Sequence, residues 1–214
     1  MKVTDIHAES LAASTALSRY YMAYSILPAD VIKVLTAAKV TFVLVGAHGI
    51  GGWMDDPRAT QDVDVVVAAR HLKKAVNALL AAFPQLDPDD KPVVIRLRDR
   101  DTKKIVIDVM KPNEQLYRDV LKHTHTVTSG GQTFKIPSLE MALAMKFAAM
   151  ISLHRQDEDK FQDAHDFIRM VKANAEIDLK KLAELGDLVY PGGGKEAVDK
   201  VEQVRRRETL NFRS

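Results

Sequence analysis

Strand-forming and helix-forming patterns occupy separate parts of this 214-residue sequence. Short apolar runs rich in β-branched residues occur in the first part, among them TFVLVG, VDVVV and IVIDVM, and such runs are typical of buried strands. From Ser138 onwards the apolar residues recur instead with helical spacing. The chain is therefore expected to have an α+β fold, in which a β-sheet flanked by helices is followed by a C-terminal helical region.

The same division sets the predicted domain boundary. Residues 1–137 are predicted to form an α/β domain with an N-terminal helical extension, and residues 138–214 the helical region. Helices are expected over residues 4–24 and from Pro28, because proline is favourable in a first helical turn. Residues 84–92, PQLDPDDKP, are dense in turn formers and are expected to form a loop.

Two pairs of neighbouring strands are also predicted. VVIRLRDR and KKIVIDVMK are separated by a short polar stretch, and HTVTSGGQTFKI contains a Ser-Gly-Gly turn. Each arrangement is expected to form a hairpin. HLKKAVNALLAAF has apolar residues at helical spacing, which predicts an amphipathic helix before the first hairpin.

The overall composition excludes several classes of protein. With 46% hydrophobic and 28% charged residues the balance is that of a folded globular protein, and a net charge of +2 does not require a nucleic-acid partner. No apolar run is long enough to span a bilayer, and the first residues lack the apolar stretch of a signal peptide. The chain has no cysteine. We therefore expect no membrane association and a cytoplasmic location.

Three aspartates in β-type runs form the candidate site. Asp62 and Asp64 are two residues apart before Val65, so in a strand they would share a face about 7 Å apart. Asp108 lies within KKIVIDVM, and it would join the pair if the two strands were neighbours. Clustered carboxylates repel each other unless a cation lies between them, and such oxygens suit Mg²⁺. The alternative is that each aspartate marks a strand end or a solvated edge.

A glycine-rich turn precedes the aspartate pair. VLVGAHGIGG follows a predicted strand and leads into a short helix, an arrangement in which backbone N–H groups can approach phosphate oxygens. The glycine spacing differs from the G-x-G-x-x-G of dinucleotide-binding folds. Those folds also carry their acidic residue after the second strand, whereas Asp62 and Asp64 precede the apolar residues VVV of the second predicted strand. The turn therefore indicates phosphate binding next to a metal site.

Together these strings resemble the nucleotidyltransferase superfamily typified by DNA polymerase beta, and in particular the bacterial minimal and AbiEii-type, toxin-like enzymes. The pattern is a strand ending in two small residues, a short helix, an Arg-x-Thr-x-Asp-x-Asp segment and a third carboxylate on a later strand. The corresponding positions here are Gly46, Ala47, Arg58, Thr60, Asp62, Asp64 and Asp108. The resemblance implies a nucleotidyltransferase-type mixed β-sheet, with Asp62, Asp64 and Asp108 as the catalytic metal ligands for Mg²⁺ or Mn²⁺.

A second, looser likeness lies in the helical region. AbiEii-type proteins carry a lysine on one helix, followed by an arginine and an acidic string. This implies that Lys146 contacts nucleotide phosphates. The first likeness implies nucleotide contacts from Gly46, Ala47, Arg58 and Thr60, whereas His48 could reach a phosphate or only fill the short helix. It also implies an acceptor-side group of Arg155, Lys160, Asp163 and Asp166. The alternative is an ion-paired, solvated helix surface.

The resemblance implies an enzyme that transfers a nucleoside monophosphate from an NTP to an acceptor hydroxyl. The acceptor would be a tRNA end, a protein or a small molecule, and a toxin of this kind would have a cognate antitoxin. The alternative is a catalytically inactive binding protein with the same fold. Many active relatives have serine or glycine where this chain has Ala47, and alanine lacks the hydroxyl that would bond a phosphate oxygen.

Arginines alternate along the predicted strand at Arg96, Arg98 and Arg100, and they would share one face. They could grip RNA or a triphosphate, or they could form the solvated face of an edge strand. The second interpretation is favoured.

Overall fold

A computed structural model describes residues 3–22 and 26–210. The chain divides into two compact units. The first comprises Met1–Gly52 with Asp56–Pro137, and the second comprises Trp53–Asp55 with Ser138–Ser214. Within the described residues, no helix is both long and apolar enough to cross a bilayer.

The first unit contains both the sheet and the helices that flank it. Its helices are α1 (Val3–Met22), α2 (Pro28–Ala37), α3 (Gly46–Ile50), α4 (Leu72–Ala82) and α5 (Gln115–Asp119). Its strands are β1 (Phe42–Leu44), β2 (Val63–Val67), β3 (Leu86–Asp90), β4 (Val94–Asp99), β5 (Ile105–Met110), β6 (Thr124–Ser129) and β7 (Gln132–Pro137). The helices expected over 4–24, from Pro28 and in HLKKAVNALLAAF are confirmed, although positions 23 and 24 lie outside the described residues.

Five strands form one sheet in the order β1-β2-β5-β4-β3. The β2–β5 pairing is parallel and the other pairings are antiparallel, so the sheet is mixed as expected. Strands β4 and β5 form the first predicted hairpin, and β6 and β7 form the second as a separate two-stranded sheet. The predicted α+β fold, with a mixed sheet and helices after it, is confirmed.

Alternation along β2 and β5 separates core residues from site residues. Val63, Val65 and Val67 of β2 belong to the hydrophobic core, and so does Ile107 of β5. Because successive strand side chains point to opposite faces, Asp64 lies on the face turned away from these valines. Burying each of these branched side chains contributes about 1.5–3 kcal/mol, which anchors the strands and fixes their register.

The loop prediction for residues 84–92 is wrong, because Leu86–Asp90 forms the edge strand β3. Proline is tolerated in an edge strand, where a missing N–H need not break a ladder bond. Leu86 is buried in the core, and two acids of β3, Asp87 and Asp89, pair with arginines of β4. Asp62 also differs from expectation, since it precedes β2 instead of lying within it.

The second unit contains four helices among the described residues: α6 (Leu139–Ile151), α7 (Asp157–Ala173), α8 (Leu179–Gly186) and α9 (Gly193–Arg205). Two of them begin with a side-chain cap. Ser138 accepts a hydrogen bond from the Met141 backbone N–H at 3.3 Å, and Asp178 accepts one from the Lys181 N–H at 2.9 Å. Such caps satisfy N–H groups that have no partner within the helix.

Candidate active site

The parallel pairing of β2 with β5 brings the three aspartates together. Asp64 lies directly opposite Asp108 in the register of the two strands, and Asp62 precedes β2 by one residue. One carboxylate oxygen of each residue lies within 4.8 Å of the others. Among the described residues, this is the only group of three or more potential metal ligands.

Two neighbours hold these carboxylates in place. The Thr60 hydroxyl donates to Asp62 Oδ1 at 2.8 Å. On the other side, Arg96 of β4 lies opposite Asp108 in register, and its Nε is 3.8 Å from Asp108 Oδ2. The Asp108 side chain is only 13% exposed, so the positive charge of Arg96 offsets part of the repulsion among the three closely spaced carboxylates. A divalent cation would offset the remainder, and three carboxylates supply the oxygen ligands that Mg²⁺ prefers.

Gly46 lies in direct contact with the Asp64 carboxylate. Its φ angle is +58°, a left-handed conformation that disfavours any residue with a side chain. A Cβ atom at this position would lie 1.8 Å from Asp64 Oδ2, well inside contact distance. The neighbouring Val45 N–H donates to the Asp64 carbonyl at 2.9 Å, which holds the turn against β2. The predicted glycine turn therefore touches the carboxylate cluster.

The side chain of His48 points into the interior. It is 6% exposed, and its Nδ1 lies 2.8 Å from the Ser14 hydroxyl of α1. Burial, with a contribution from the positive charge of Arg58, lowers the pKa of His48 to about 4, so the ring is neutral at pH 7. The predicted contact of His48 with a nucleotide has no geometric support, and Ala47 beside it is also buried.

The first helix was not predicted to contribute to this site. Its polar residues lie on one face at spacings of three or four, and they are buried: His7, Ser10, Ser14 and Ser18. Ser18 Oγ accepts a hydrogen bond from the Thr60 backbone N–H at 3.2 Å. The sequence signal was the repeat of small polar residues in an otherwise alanine-rich helix, which hydrophobic periodicity alone does not reveal.

The same helix face lies close to the glycines after α3. A Cβ at Gly51 would lie 2.4 Å from Ser10 Oγ, and one at Gly52 would lie 2.3 Å from His7 Nδ1. These two glycines therefore permit close packing against α1. Burial lowers the pKa of His7 to about 4, with a further contribution from His125, so this ring is also neutral at pH 7.

Lys146 lies in a buried ion-pair network in the second unit. Its Nζ is 2.8 Å from Asp163 Oδ1 and 2.7 Å from Asp166 Oδ2, and Arg155 Nε is 2.9 Å from Asp163 Oδ2. Both aspartates are buried, and the two cations balance their two charges. The ion pairing of the alternative interpretation is thus present, but Lys146, Asp163 and Asp166 are buried and do not form a solvated surface. Lys160 pairs instead with an exposed acid in the first turn of α7 and is not part of the network.

The arginine stripe of β4 is matched by acids on the edge strand. Arg98 Nε lies 3.1 Å from Asp89 Oδ2, and Arg100 Nη2 lies 3.0 Å from Asp87 Oδ1. The hydrogen bond from Arg100 lowers the pKa of Asp87 below its ordinary value. The pKa of Asp89 is lowered first by a hydrogen bond from Lys91 and then by the one from Arg98. The interpretation of a solvated, ion-paired face is therefore favoured for Arg98 and Arg100. The expectation that their strand is an edge strand is wrong, because β3 pairs with β4 and forms the edge of the sheet.

The sequence model of the family described as "Nucleotidyl transferase AbiEii toxin, Type IV TA system" matches residues 34–213. This chain belongs to the AbiEii nucleotidyltransferase family. The AbiEii chain is thus an enzyme of the nucleotidyl-transferring class, as the resemblance predicted. None of the curated proteins matches its sequence.

Similar solved structures include two proteins that share less than 20% identity with this AbiEii chain. One is an antigenic nucleotidyltransferase-like protein from Paracoccidioides brasiliensis, with 18% identity, a TM-score of 0.50 and 95% of each chain covered. The other is the lincosamide antibiotic adenylyltransferase LnuA, with lincomycin bound. It has 15% identity and a TM-score of 0.45, and the match covers 65% of this chain and 93% of that one. The first of these supports the nucleotidyltransferase fold.

Proposed function

We propose that this AbiEii-family chain is a metal-dependent enzyme that transfers a nucleoside monophosphate from an NTP to an acceptor hydroxyl, with release of pyrophosphate. The observation that carries the proposal is the convergence of Asp62, Asp64 and Asp108 beside the Gly46 turn. A carboxylate cluster that touches a glycine turn suits a ligand with both a divalent cation and phosphate oxygens.

The three aspartates would hold Mg²⁺, or Mn²⁺ in its place. When bound, such an ion polarises phosphoryl oxygens and neutralises charge that develops on the attacking and leaving oxygens. The chain fixes the ligands beforehand: β2 and β5 set the separation of Asp64 and Asp108, and Thr60 holds one oxygen of Asp62. Asp108 would also orient the acceptor hydroxyl, and Arg96 keeps the side chain of Asp108 in position.

The triphosphate would lie against the backbone of Gly46 and Ala47. A side chain at Gly46 would fill this space, since its Cβ would meet Asp64. Arg58 is proposed as a second phosphate contact. Its positive charge helps to lower the pKa of His48, which follows Gly46 by two residues, so the charge acts close to the glycine turn. Thr60 would support Asp62 instead of contacting a phosphate, because its hydroxyl is bonded to Asp62.

Lys146 is proposed as a further phosphate contact, with the buried aspartates as its supports. Asp163 and Asp166 hold its Nζ from two sides, so the ammonium group is fixed in one orientation. Asp166 is fully buried and would act through Lys146. Arg155 precedes α7, is partly exposed and remains the better acceptor-side candidate, and Lys160 of α7 is proposed as a second one.

The biological setting follows from the family description, which names a toxin of a type IV toxin–antitoxin system. We propose that a cognate antitoxin is produced with this chain, and that the reaction occurs in the cytoplasm, where NTPs and Mg²⁺ are abundant. The acceptor would be a tRNA end, a protein hydroxyl or a small molecule. Each of these carries the hydroxyl that the proposed reaction needs.

The test is to incubate the protein with Mg²⁺ and each of the four labelled NTPs, together with total tRNA, cell protein or candidate small molecules. The proposal predicts that one acceptor class becomes labelled and that Asp62→Asn with Asp64→Asn abolishes the labelling. A second function is favoured by Ala47, which lacks a hydroxyl: NTP binding without transfer. Binding without a labelled product under all these conditions would support that function and contradict the enzyme proposal.

A further inference from the structure

The first helix lies against the segment that carries the metal-binding aspartates. The family match begins at residue 34, so α1 lies outside it. Its buried face carries four polar side chains and Leu11, an unusual composition for a helix face that is hidden from solvent. Buried polar groups are costly unless they are hydrogen-bonded, so the partners of this face indicate what it does.

One chain of hydrogen bonds leads from this face to a carboxylate of the site. Ser18 Oγ accepts from the Thr60 backbone N–H at 3.2 Å, and the Thr60 hydroxyl donates to Asp62 Oδ1 at 2.8 Å. Both Ser18 and Thr60 are buried. These two hydrogen bonds therefore connect α1 with Asp62 through Thr60.

We propose that Ser18 is a positioning residue for the metal-binding carboxylate Asp62, and that it acts through Thr60. The inference rests on the proposed function, in which Asp62 is a metal ligand. It adds that α1, outside the matched family region, sets the affinity of the site for its cation.

Asp62 needs such support because it precedes strand β2. Asp64 and Asp108 are held by the register of two paired strands, but Asp62 lies in the bend before them. Thr60 supplies the missing constraint, since its hydroxyl fixes one oxygen of Asp62 and leaves the other for a cation. Ser18 in turn holds the Thr60 backbone, so the hydroxyl is presented from a fixed point.

General experience with metal sites gives the expected magnitude. Residues that orient a ligand by hydrogen bonding change metal affinity about 10- to 100-fold when they are removed. Thr60→Val removes the direct bond to Asp62 and should have an effect in this range. Ser18→Ala acts one bond further away, and loss of a single neutral hydrogen bond corresponds to about a three- to tenfold weakening.

The experiment measures Mn²⁺ binding to the full chain by electron paramagnetic resonance, with no nucleotide or acceptor present. The matched control is Ser10→Ala, which removes a buried hydroxyl from the same face of α1 at a position that is not bonded to Thr60. Ser18→Thr retains a hydroxyl and should recover most of the affinity. Asp62→Asn provides the loss expected when the ligand itself is removed. Circular dichroism at the binding temperature shows that each variant is folded.

The proposal predicts that Ser18→Ala weakens Mn²⁺ binding about three- to tenfold, that Ser10→Ala changes it less than twofold, and that Thr60→Val weakens it further. The Ser18→Ala, Thr60→Val double variant should bind no more weakly than Thr60→Val alone, because both act along one path. Equal affinities for Ser18→Ala and Ser10→Ala, or independent effects in the double variant, would overturn the inference. If wild type and Asp62→Asn bind Mn²⁺ alike, the metal assignment itself fails, and the positioning role fails with it.

Discussion

Replacing Gly46 with alanine tests the contact between the glycine turn and the carboxylate cluster. The φ angle of +58° costs a residue with a side chain about 1–2 kcal/mol. In addition, the new Cβ would lie 1.8 Å from Asp64 Oδ2 and 2.6 Å from its Cγ, so the carboxylate must move. Overpacking of this kind costs about 1–3 kcal/mol. The free energy of unfolding should therefore fall by about 2–5 kcal/mol in total.

The chain offers a matched control for the backbone part of this cost. Gly130 has a φ angle of +56°, and a Cβ there would meet no atom within 4 Å. Gly130→Ala should thus cost only about 1–2 kcal/mol. The difference between the two variants, measured by urea denaturation followed by circular dichroism, isolates the collision with Asp64.

A double variant identifies the atoms responsible. In an Asp64→Ala background the Oδ2 and Cγ atoms are absent and only the Cβ contact of 2.9 Å remains. The cost of Gly46→Ala should therefore drop towards that of Gly130→Ala, and Mn²⁺ binding should already be lost in the Gly46→Ala single variant. The reasoning is refuted if Gly46→Ala costs no more than Gly130→Ala, or if its cost is the same with and without the Asp64 carboxylate.

Two further predictions concern buried charge and pH. Lys146→Met leaves two buried aspartates with one cation, which should cost about 3–5 kcal/mol. The control is Lys195→Met, whose side chain is 84% exposed and which should leave the midpoint of urea unfolding, followed by Trp53 fluorescence, unchanged. Equal midpoints for Lys146→Met and Lys195→Met would contradict a stabilising role of the buried network. Because the folded pKa of His48 is about 4 and its ordinary value is 6.5, the unfolded chain binds the proton more readily, so stability is lost as the pH falls from about 6.5 to about 4. His48→Asn should remove up to about 3 kcal/mol of that loss between pH 7 and pH 4, and an unchanged pH profile would refute this.

Hydrophobic patterning in the sequence was sufficient to predict the main elements of the sheet. The β2 and β5 runs are apolar and β-branched, and their burial follows directly from that composition. The edge strand β3 was missed because its proline and acids have turn-like composition. Its stability comes from Leu86 and from cross-strand pairs with arginines, which are tertiary features that no local pattern contains.

The candidate site could likewise be predicted only in part, because its assembly depends on tertiary contacts. Asp62 and Asp64 were paired by their spacing, but the meeting with Asp108 depended on whether β2 and β5 are neighbours, which a single sequence does not determine. The contribution of α1 was not predicted, because burial of Ser18 depends on a hydrogen-bonding partner 42 residues away. Hydrophobic periodicity does not detect polar burial of this kind, although the buried polar residues of α1 recur at helical spacing.

The most direct test of the account follows the label from an NTP into its product. Parallel reactions contain the protein, Mg²⁺, cell extract as the acceptor source, and an NTP labelled either on the α-phosphate or on the γ-phosphate. The account predicts that only the α-label enters an acceptor, that pyrophosphate is released, and that Asp108→Asn abolishes both. Transfer of the γ-label, or transfer of the α-label that persists in Asp108→Asn, would contradict the nucleotidyl transfer proposed for the three aspartates.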